Sequence, residues 1–332
     1  MAPGVTIVKQ LLVLIPVYND WGAVGMLIPR LDAALDGVAE RVHLLLVDDG
    51  STLDLPPDFG EVDCRHIDAV DILALRRNVG HQRAIALGLA YVSENCSCDA
   101  VLVMDGDGED DPADVPRLVS RFREDGGTRI VFAERRRRSE TLTFRMFYHL
   151  YRFLHFLLTG RGVKVGNFSL IPQGLLQRLV VVSELWNHYA ASVFKARLPY
   201  TMVHTRRATR LCEGSRMDFV ALVTHGLSAV SVYSDLVGVR LLILFGTLSL
   251  LTLVSSLGIL GLWLVCPACV STWAALISAV LMIVFFQTGM FALLACFITL
   301  GSRAVSVFLP LRDYKYYISG TRSVLSPGSK TV

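Results

Sequence analysis

A block of 62 consecutive residues without a single Asp, Glu, Lys, Arg or His constrains this chain more than any other feature. The block runs from Leu241 to Ser302, near the end of a sequence of 332 residues. A membrane-spanning helix needs about 20 apolar residues, so the block is long enough for two such helices. Pro267 would end a helix near its middle. We therefore predict spans at 241–265 and 273–301, with a buried hairpin in a soluble core as the alternative.

Composition agrees with a chain of two parts. The mean hydropathy is +0.50 with 53% hydrophobic residues, which is high for a soluble enzyme and low for a chain lying entirely in the membrane. This composition excludes a largely disordered chain, a collagen-like fibre and a disulfide-rich mini-protein. The net charge of +3 is too small to indicate nucleic-acid binding, and we expect no nucleic-acid partner.

The charges that flank the apolar block predict its orientation. The turn between the two spans has no Lys or Arg, whereas Arg240 precedes the first span and four basic residues follow the second: Arg303, Arg312, Lys315 and Arg322. By the positive-inside rule, the large N-terminal domain and both termini are predicted to be cytosolic. We expect no signal peptide, because the apolar run at 11–16 leads into a polar turn without a cleavage site. The pair Cys266 and Cys269 would then lie on the far side, either as a disulfide or as two thiols.

Strands and helices alternate through the first hundred residues. Apolar runs at 11–17, 42–47, 72–75 and 100–104 are typical of buried strands, and helical patterns occupy 21–35 and 82–93. Alternation of this kind predicts an α/β fold with a parallel sheet. In such a sheet the functional site forms beyond the carboxyl ends of the strands.

The stretch 104–112 (MDGDGEDDP) contains five carboxylates in seven residues. Asp105 and Asp107 alternate, so in an extended segment both side chains leave on one face. Such oxygen ligands suit Mg²⁺ or Mn²⁺ that also holds a substrate diphosphate. The spacing does not match a calcium-binding loop, because Glu109 and Asp110 stand where that motif requires other residues at its fifth and sixth positions. The alternative is a solvated acidic turn, with Asp111 capping the helix that follows.

Three further turns follow predicted strands. Asp48-Asp49-Gly50-Ser51 offers carboxylates to a base or ribose, although an ordinary strand-to-helix turn is an equal alternative. Pro16-Val17-Tyr18-Asn19-Asp20 is similar in kind. Arg77-Asn78-Val79-Gly80-His81 is a basic turn at a helix N-terminus, a candidate seat for a diphosphate.

Four arginines cluster before the apolar block, at positions 206, 207, 210 and 216. Guanidinium groups there could bind a lipid phosphate and also contact anionic headgroups. Residues 217–236 have amphipathic character and are predicted to lie along the membrane interface, with a helix of a soluble core as the alternative. Glu184 is a candidate base or acceptor-site residue, and a structural helix carboxylate is the alternative.

Taken in order, these motifs resemble those of family 2 glycosyltransferases, specifically the membrane-anchored polyprenyl-phosphate type. The resemblance covers about residues 1–235, and the two spans match the bacterial branch. It is carried by Pro16-Val17-Tyr18-Asn19, Val47-Asp48-Asp49-Gly50-Ser51, Arg77-Asn78-Val79-Gly80-His81, Met104-Asp105-Gly106-Asp107, Gly166-Asn167-Phe168 and Ser215-Arg216-Met217. The chain departs from the family pattern at Asn19, where Glu is usual, at Glu109, where Gln is frequent, and at Gly214, which is displaced by one residue.

The resemblance implies a GT-A fold and an enzyme of the hexosyltransferase class in a bacterial inner membrane. The implied domains are a catalytic domain at 1–216, a juxtamembrane helix at 217–238, a two-helix anchor at 239–303 and a cytosolic tail at 304–332. A UDP- or GDP-sugar would bind at Pro16, Tyr18, Asn19, Asp48, Asp49, Asn78, Gly80 and Asp105. A divalent cation, Mg²⁺ or Mn²⁺, would be held by Asp105, Asp107 and Glu109. The candidate catalytic residues are Asp105, Asp107, Arg210, Ser215 and Arg216.

The implied reaction transfers one sugar from the nucleotide-sugar to a polyprenyl phosphate, with inversion at the anomeric carbon. Membrane lipids are expected partners, and a homo-oligomer is compatible with the sequence. One alternative is a processive polysaccharide synthase of the same fold, which would need a Gln-x-x-Arg-Trp motif and more spans than this chain has. Another alternative is a catalytically silent, membrane-anchored binding or scaffold protein, which the intact acidic and nucleotide motifs disfavour.

Overall fold

The computed structural model describes residues 8–57, 59, 64–135, 156–160, 165–206, 208–212, 219–267, 271–304 and 308–325. The chain divides into two compact units. The first contains the described residues of 1–146, 163–232 and 307–332, and the second those of 147–162 and 233–306.

The first unit begins with the α/β alternation that the apolar pattern predicts. Its early elements are β1 (Gln10–Val17), α1 (Trp21–Ala34), β2 (Arg41–Asp48), β3 (Ala69–Leu75), α2 (His81–Asn95) and β4 (Ala100–Val103). The strands are apolar on both faces because helices cover the sheet on both sides, as in most parallel sheets. The four predicted strands and both predicted helices are confirmed, with ends that differ by a few residues.

Further elements of the described residues follow β4 in the first unit. They are α3 (Val115–Glu124), β5 (Ile130–Arg135), β6 (Ser169–Pro172), α4 (Gln173–Leu179), α5 (Tyr189–Lys195), β7 (Tyr200–Thr205) and α6 (Phe219–Ser231). Asp111 accepts a hydrogen bond from the backbone N–H of Ala113 and has Pro112 after it, so it caps the short 3₁₀ turn that leads into α3.

Together with β8 (Ile318–Leu325) near the end of the described residues, these strands form one mostly parallel, eight-stranded sheet in the order β7-β5-β6-β4-β1-β2-β3-β8. Strands β1 to β4 are mutually parallel where they pair, whereas β6 runs antiparallel to both β4 and β5. Since β7 is parallel to β5, the carboxyl ends of β5 and β7 lie at the same edge as those of β1 to β4. The amino end of β6 reaches that edge too, with Ser169 opposite Val103. We call this edge the carboxyl edge.

Two apolar cores cover the two faces of the sheet. One packs α2, α4 and α5 against alternate strand residues such as Leu14, Leu45 and Val103. The other packs α1 and α3 against the opposite set, including Val13, Leu44 and Leu102. Alternating side chains of one strand thus enter different cores, which fixes the register of the sheet.

The chain returns to the sheet after the apolar block. A short helix, α9 (Pro310–Asp313), precedes β8 (Ile318–Leu325), which pairs antiparallel with β3. Tyr314 is buried and donates its hydroxyl to Glu94 at 2.8 Å. The predicted cytosolic tail at 304–332 therefore includes an edge strand of the first unit. Its central residues (SGTRS) are polar or glycine and exposed, as is common in an edge strand, so a search for apolar runs does not detect it.

The second unit contains two long helices, α7 (Ser234–Val265) and α8 (Thr272–Ala304). Candidate membrane spans lie at Ser234–Val265 and Leu276–Ile298, with mean hydropathies of 2.2 and 2.3. Their apolar side chains are largely exposed, as expected of helices whose solvent is lipid, which disfavours the soluble-hairpin alternative. Ser249 and Thr288 share a hydrogen bond of 2.6 Å between the helices.

Two details of the chain near the apolar block bear on the sequence predictions. The juxtamembrane segment was predicted to reach residue 238, but α6 ends at Ser231 and α7 begins at Ser234. Ser234 and Asp235 favour a helix start, since polar and acidic residues stabilise a first turn. Cys266, at the end of α7, is disulfide-bonded, and Cys269 lies outside the described residues.

Candidate active site

Asn19 ties the loop after β1 to the loop after β2. Its backbone is in the left-handed region, with φ of 53°. Its side-chain oxygen accepts hydrogen bonds from the backbone N–H groups of Thr52 and Leu53 at 2.8 and 2.9 Å, and its own N–H donates to Ser51 Oγ at 3.0 Å. Asparagine tolerates this backbone conformation better than most residues. The neighbouring Tyr18 remains 48% exposed, available to stack on a ligand.

The adjacent carboxylates Asp48 and Asp49 have different surroundings. Asp48 is half-buried and accepts the N–H of Ser51 at 2.9 Å. Asp49 is only 2% exposed and accepts the N–H groups of Val79 and Gly80 at 2.7 and 2.9 Å. Burial raises the pKa of Asp49, although these two N–H donors oppose the shift. Asp49 therefore holds the loop before α2, and Asp48 is the carboxylate closer to the surface.

Gly50 lets the loops after β2 and β3 touch. Its φ is 69°, and a Cβ there would lie 2.6 Å from backbone atoms of Arg77 and Asn78. Only glycine fits such a contact. The structure thus brings the predicted residue Asn78 beside Gly50 and the predicted residue Gly80 beside Asp49 at the carboxyl edge, with Asn78 exposed.

The acidic loop after β4 is organised by its own carboxylates. The backbone N–H of Asp105 donates to Asp110 at 2.9 Å, and that of Glu109 donates to Asp107 at 2.9 Å. Asp110 is 1% exposed, so it is a structural member of the cluster that the sequence did not single out. Burial raises the pKa of Asp107, and the charges of Asp105 and Glu109 add to the effect. This crowding of negative charge favours a cation at the loop.

Arg210 reaches the acidic loop from the segment after β7. Its Nη2 lies 3.3 Å from Asp107 Oδ2, and the N–H of Leu211 donates to the carbonyl of Asp107 at 3.0 Å. Gly108 has φ of 81° and lies so close to Leu211 that any side chain at 108 would collide with it. The topology explains the contact, because β7 and β4 both end at the carboxyl edge.

A second group of side chains contacts Asp105. His81 Nε2 lies 3.1 Å and Asn167 Nδ2 lies 3.3 Å from Asp105 Oδ1. Burial lowers the pKa of His81, but the charge and hydrogen bond of Asp105 outweigh it and raise the pKa overall. His81 is the first residue of α2, and Asn167 stands just before β6. Sequence reading placed both in motifs but assigned neither a contact with the acidic loop.

The donor set at this loop fits a divalent cation of the Mg²⁺ type. Such ions are usually held by one or two carboxylates together with substrate phosphates, rather than by a complete cage of protein ligands. Asp105 and Asp107 would supply those carboxylates, and Glu109 is half-buried in the same loop. Within the part of the chain that the structure describes, no group of three His, Cys, Asp or Glu side chains is placed to hold a metal ion by itself, and this includes the predicted set Asp105, Asp107 and Glu109. Diphosphate oxygens would complete the coordination.

Three other predicted residues lie elsewhere or outside the described residues. Ser215 and Arg216 belong to the undescribed segment 213–218. Glu184 forms a salt bridge with Lys195, whose Nζ lies 2.7 Å from Glu184 Oε1. Burial raises its pKa, but the hydrogen bond from Lys195 outweighs this and lowers the pKa overall. That pairing favours the structural role for Glu184 over the role of a base.

An open groove of about 720 Å³ borders the acidic loop. It is lined by α1, by Gly108 and Asp111, and by Thr209 and Leu211. Asp105 and Asp107 do not line it, so the groove adjoins the proposed cation position without containing it.

The sheet and the edge site define the class of the protein: an α/β enzyme of the GT-A type. The structure is similar to glucosyl-3-phosphoglycerate synthase from Mycobacterium tuberculosis, solved with Mn²⁺, UDP-glucose and phosphoglyceric acid. The TM-score is 0.50 at 18% identity, over 69% of this chain and 80% of that one. At this identity the likeness shows the fold.

Sequence comparison names the family. The family model for Glycosyl transferase family 2 matches residues 12–180, half of the chain, so the protein belongs to glycosyltransferase family 2. It is 27% identical to undecaprenyl-phosphate 4-deoxy-4-formamido-L-arabinose transferase of Klebsiella pneumoniae, over 72% of each chain. It is 26% identical to an uncharacterised glycosyltransferase of Bacillus subtilis, over 68% of each chain. The predicted fold class is confirmed, and so is the prediction of a family 2 glycosyltransferase.

Proposed function

We propose that this glycosyltransferase moves one sugar from a UDP- or GDP-sugar to a polyprenyl phosphate, with a divalent cation and with inversion at the anomeric carbon. The observation that carries the proposal is the contact between Arg210 and Asp107. It brings a phosphate-binding guanidinium to the carboxylates that suit a cation and a diphosphate. Donor and acceptor phosphates could therefore meet at one position on the carboxyl edge.

The donor nucleotide is assigned to the loops after β1, β2 and β3. Exposed Tyr18 would stack against the base, and Asp48 would accept from base or ribose. Asn19 and Asp49 would act indirectly, since both hold loop backbone in the structure. Asp105 and Asp107, with Glu109 as a further oxygen donor, would hold the cation. When bound, that cation would neutralise the charge on the departing nucleoside diphosphate.

The acceptor is assigned to Arg210, together with Ser215 and Arg216. A guanidinium offers paired N–H donors to phosphate oxygens and keeps its charge at working pH. An acceptor phosphate oxygen would attack the anomeric carbon while the bond from that carbon to the diphosphate oxygen breaks. A phosphate monoester is mostly ionised near neutral pH, so the step needs no strong general base.

The lipid acceptor is supported by two further observations. Helices α7 and α8 are long and apolar enough to span a membrane. The Klebsiella pneumoniae relative carries undecaprenyl phosphate in its name. We place the enzyme in a bacterial inner membrane as a multi-pass protein, with the catalytic domain and both termini in the cytosol and with α6 at the membrane surface among lipids. A homo-oligomer remains compatible with this arrangement.

Mass spectrometry of lipid products tests the function. Purified full-length protein in detergent receives undecaprenyl or dolichyl phosphate, Mg²⁺ or Mn²⁺, and a panel of UDP- and GDP-sugars. We expect one donor to yield a lipid-linked monosaccharide of the matching mass. Products with many sugars would indicate a processive synthase instead. Absence of any lipid-linked sugar across the full panel, with a protein that binds nucleotide, would contradict the acceptor assignment.

A further inference from the structure

A chain of hydrogen bonds runs from the core to Asp105. The backbone N–H of Tyr189 donates to Gln82 Oε1 at 2.8 Å, and Gln82 Nε2 donates to Asn167 Oδ1 at 2.9 Å. Asn167 Nδ2 then lies 3.3 Å from Asp105 Oδ1. Because a backbone N–H can only donate, the amide of Gln82 has one possible orientation, and that orientation fixes the amide of Asn167.

The orientation of Asn167 decides what Asp105 meets. The amide nitrogen of Asn167, and not its oxygen, must face the carboxylate. His81 Nε2 lies 3.1 Å from the same oxygen and 2.9 Å from Asn167 Nδ2, so the three groups form one cluster in which the amide nitrogen of Asn167 is always a donor. The N–H that Asn167 directs at Oδ1 limits rotation of the carboxylate.

The two amides in the middle of this series of hydrogen bonds are buried. Asn167 and Gln82 are 8% and 9% exposed. Buried amides are costly unless each is hydrogen-bonded, and apolar side chains of similar size would fill the same space without that requirement. The polar pair has one consequence that an apolar pair could not have: it delivers a directed N–H to Asp105.

We propose that Asn167 is a positioning residue for Asp105, and that Gln82 sets the orientation of its amide. The inference rests on the proposed function in one respect, that Asp105 holds the cation with the nucleoside diphosphate. Residues behind a metal ligand fix the direction of its carboxylate, and their loss typically costs about 10- to 100-fold in metal affinity. Asn167 and Gln82 would have that role here.

Binding of Mn²⁺ in the presence of UDP or GDP, followed by electron paramagnetic resonance, tests the proposal without relying on catalysis. The full-length protein is compared with Asn167→Ala and Gln82→Glu. We expect both variants to bind Mn²⁺ about 10- to 100-fold more weakly. Gln82→Glu is the sharper variant, because it keeps the acceptor for Tyr189 but loses the donor to Asn167. The untouched Asn167 amide should then turn its oxygen toward Asp105.

Ser169→Ala is the matched control. Its hydroxyl bonds to the Asn167 carbonyl and to the Tyr189 hydroxyl, at 2.9 and 2.6 Å, in the same buried region. It should lower the Tm and leave Mn²⁺ affinity within about twofold of wild type, since the Ser169 hydroxyl contacts the backbone carbonyl of Asn167 and not the side-chain amide that faces Asp105. Equal weakening in Ser169→Ala and Asn167→Ala would assign the effect to packing and overturn the proposal. So would wild-type Mn²⁺ affinity in Gln82→Glu, or a wild-type protein that binds no Mn²⁺ with either nucleotide.

The outcome is separable from that of the proposed function. Wild-type protein that binds Mn²⁺ and nucleotide but makes no lipid-linked sugar would contradict the acceptor while leaving this inference intact. Normal transfer by wild type, with unchanged Mn²⁺ binding in both variants, would contradict this inference and leave the proposed function intact.

Discussion

The two sides of the candidate active site are built in different ways. One side, which we call the strand-end side, consists of the loops directly after β1 to β4, within residues 16–111. The other, the return side, consists of Asn167 and the segment 208–212, which come back to the same edge much later in the chain. The loops of the first side follow apolar strands. On the second side, Asn167 precedes the antiparallel strand β6, and the segment 208–212 follows β7, a strand with a mixed pattern.

The two sides differ in how far they can be predicted from short stretches of sequence. In a parallel sheet a polar turn after an apolar strand must lie at the carboxyl edge, so the strand-end side is readable from pattern alone. The return side depends on strand order. Arg210 contacts Asp107 only because β7 joins the sheet through β5 with the same direction as β4. The predictions below test each side in turn.

The largest effect should follow substitution on the strand-end side. Asp105→Asn or Asp107→Asn removes a carboxylate that holds the proposed cation, and turnover should fall by roughly 10²-fold or more, as for loss of other charge-stabilising groups. Transfer rates at saturating donor and acceptor measure this, with Asp111→Asn as a nearby control that only caps a turn. Chelation should silence the wild type. Full activity in excess EDTA would contradict a cation-dependent reaction.

Arg210 tests whether the return side serves the acceptor. Arg210→Ala should weaken the apparent affinity for polyprenyl phosphate by roughly 10-fold or more, the scale of a charge-assisted hydrogen bond, and Arg210→Lys should be intermediate. Because Arg210 also lies beside Asp107, donor and acceptor are titrated separately in detergent. Arg121→Ala, whose guanidinium pairs with Glu124 on α3, is the control. A change confined to the affinity for the donor would contradict the acceptor role and assign Arg210 to the donor site.

Asp32 tests the scaffold beneath the strand-end side. This buried carboxylate accepts the N–H groups of Arg65, His66 and Ile67 at 2.8–2.9 Å. Asp32→Ala would leave these donors unpaired, and we expect the free energy of unfolding to fall by about 3 kcal/mol. Thermal or denaturant unfolding measures it, with Asp36→Ala, at an exposed position, as the control.

The same residue predicts a pH dependence. Burial raises the pKa of Asp32, but the three N–H donors outweigh it and lower the pKa overall. A lowered folded-state pKa means that the stabilisation is complete above the unfolded value, about 3.9, and is lost as pH falls through the folded value. The stability difference between wild type and Asp32→Ala should therefore shrink below about pH 4. A difference that grows on acidification would contradict this sign.

The smallest effect concerns the C-terminal strand. Tyr314→Phe removes a hydroxyl that donates to Glu94 at 2.8 Å and accepts from Asn95 at 3.0 Å. We expect a loss of about 1 kcal/mol, seen as a small fall in Tm, with transfer rates unchanged. Tyr316→Phe, at a position 77% exposed, should be neutral. Equal Tm values for the two variants would show that this contact adds little to the docking of the C-terminal segment.

The accuracy of the sequence predictions follows the same division. Four apolar strands and the helices between them were predicted, because residues buried on both faces form unbroken apolar runs. Strands β5 to β8 were not predicted, and β8 lies in the segment that was predicted to be a cytosolic tail. Their patterns are short or half polar, so their pairing is decided by neighbours distant in sequence. Asp49 illustrates a subtler limit: its motif was recognised, but only the structure places its carboxylate on Val79 and Gly80.

The α/β class, the two apolar helices and the polar turns at one edge could all be predicted from the sequence. Each of these depends on residues close together in the chain, through periodicity, length and the position of a turn after a strand. The fold was needed to show that Asp110 supports the backbone of Asp105, that Arg210 contacts Asp107, and that Gln82 orients the Asn167 amide toward Asp105. Those contacts join residues five to more than a hundred positions apart, and the order and direction of the strands set which of the distant ones come within reach.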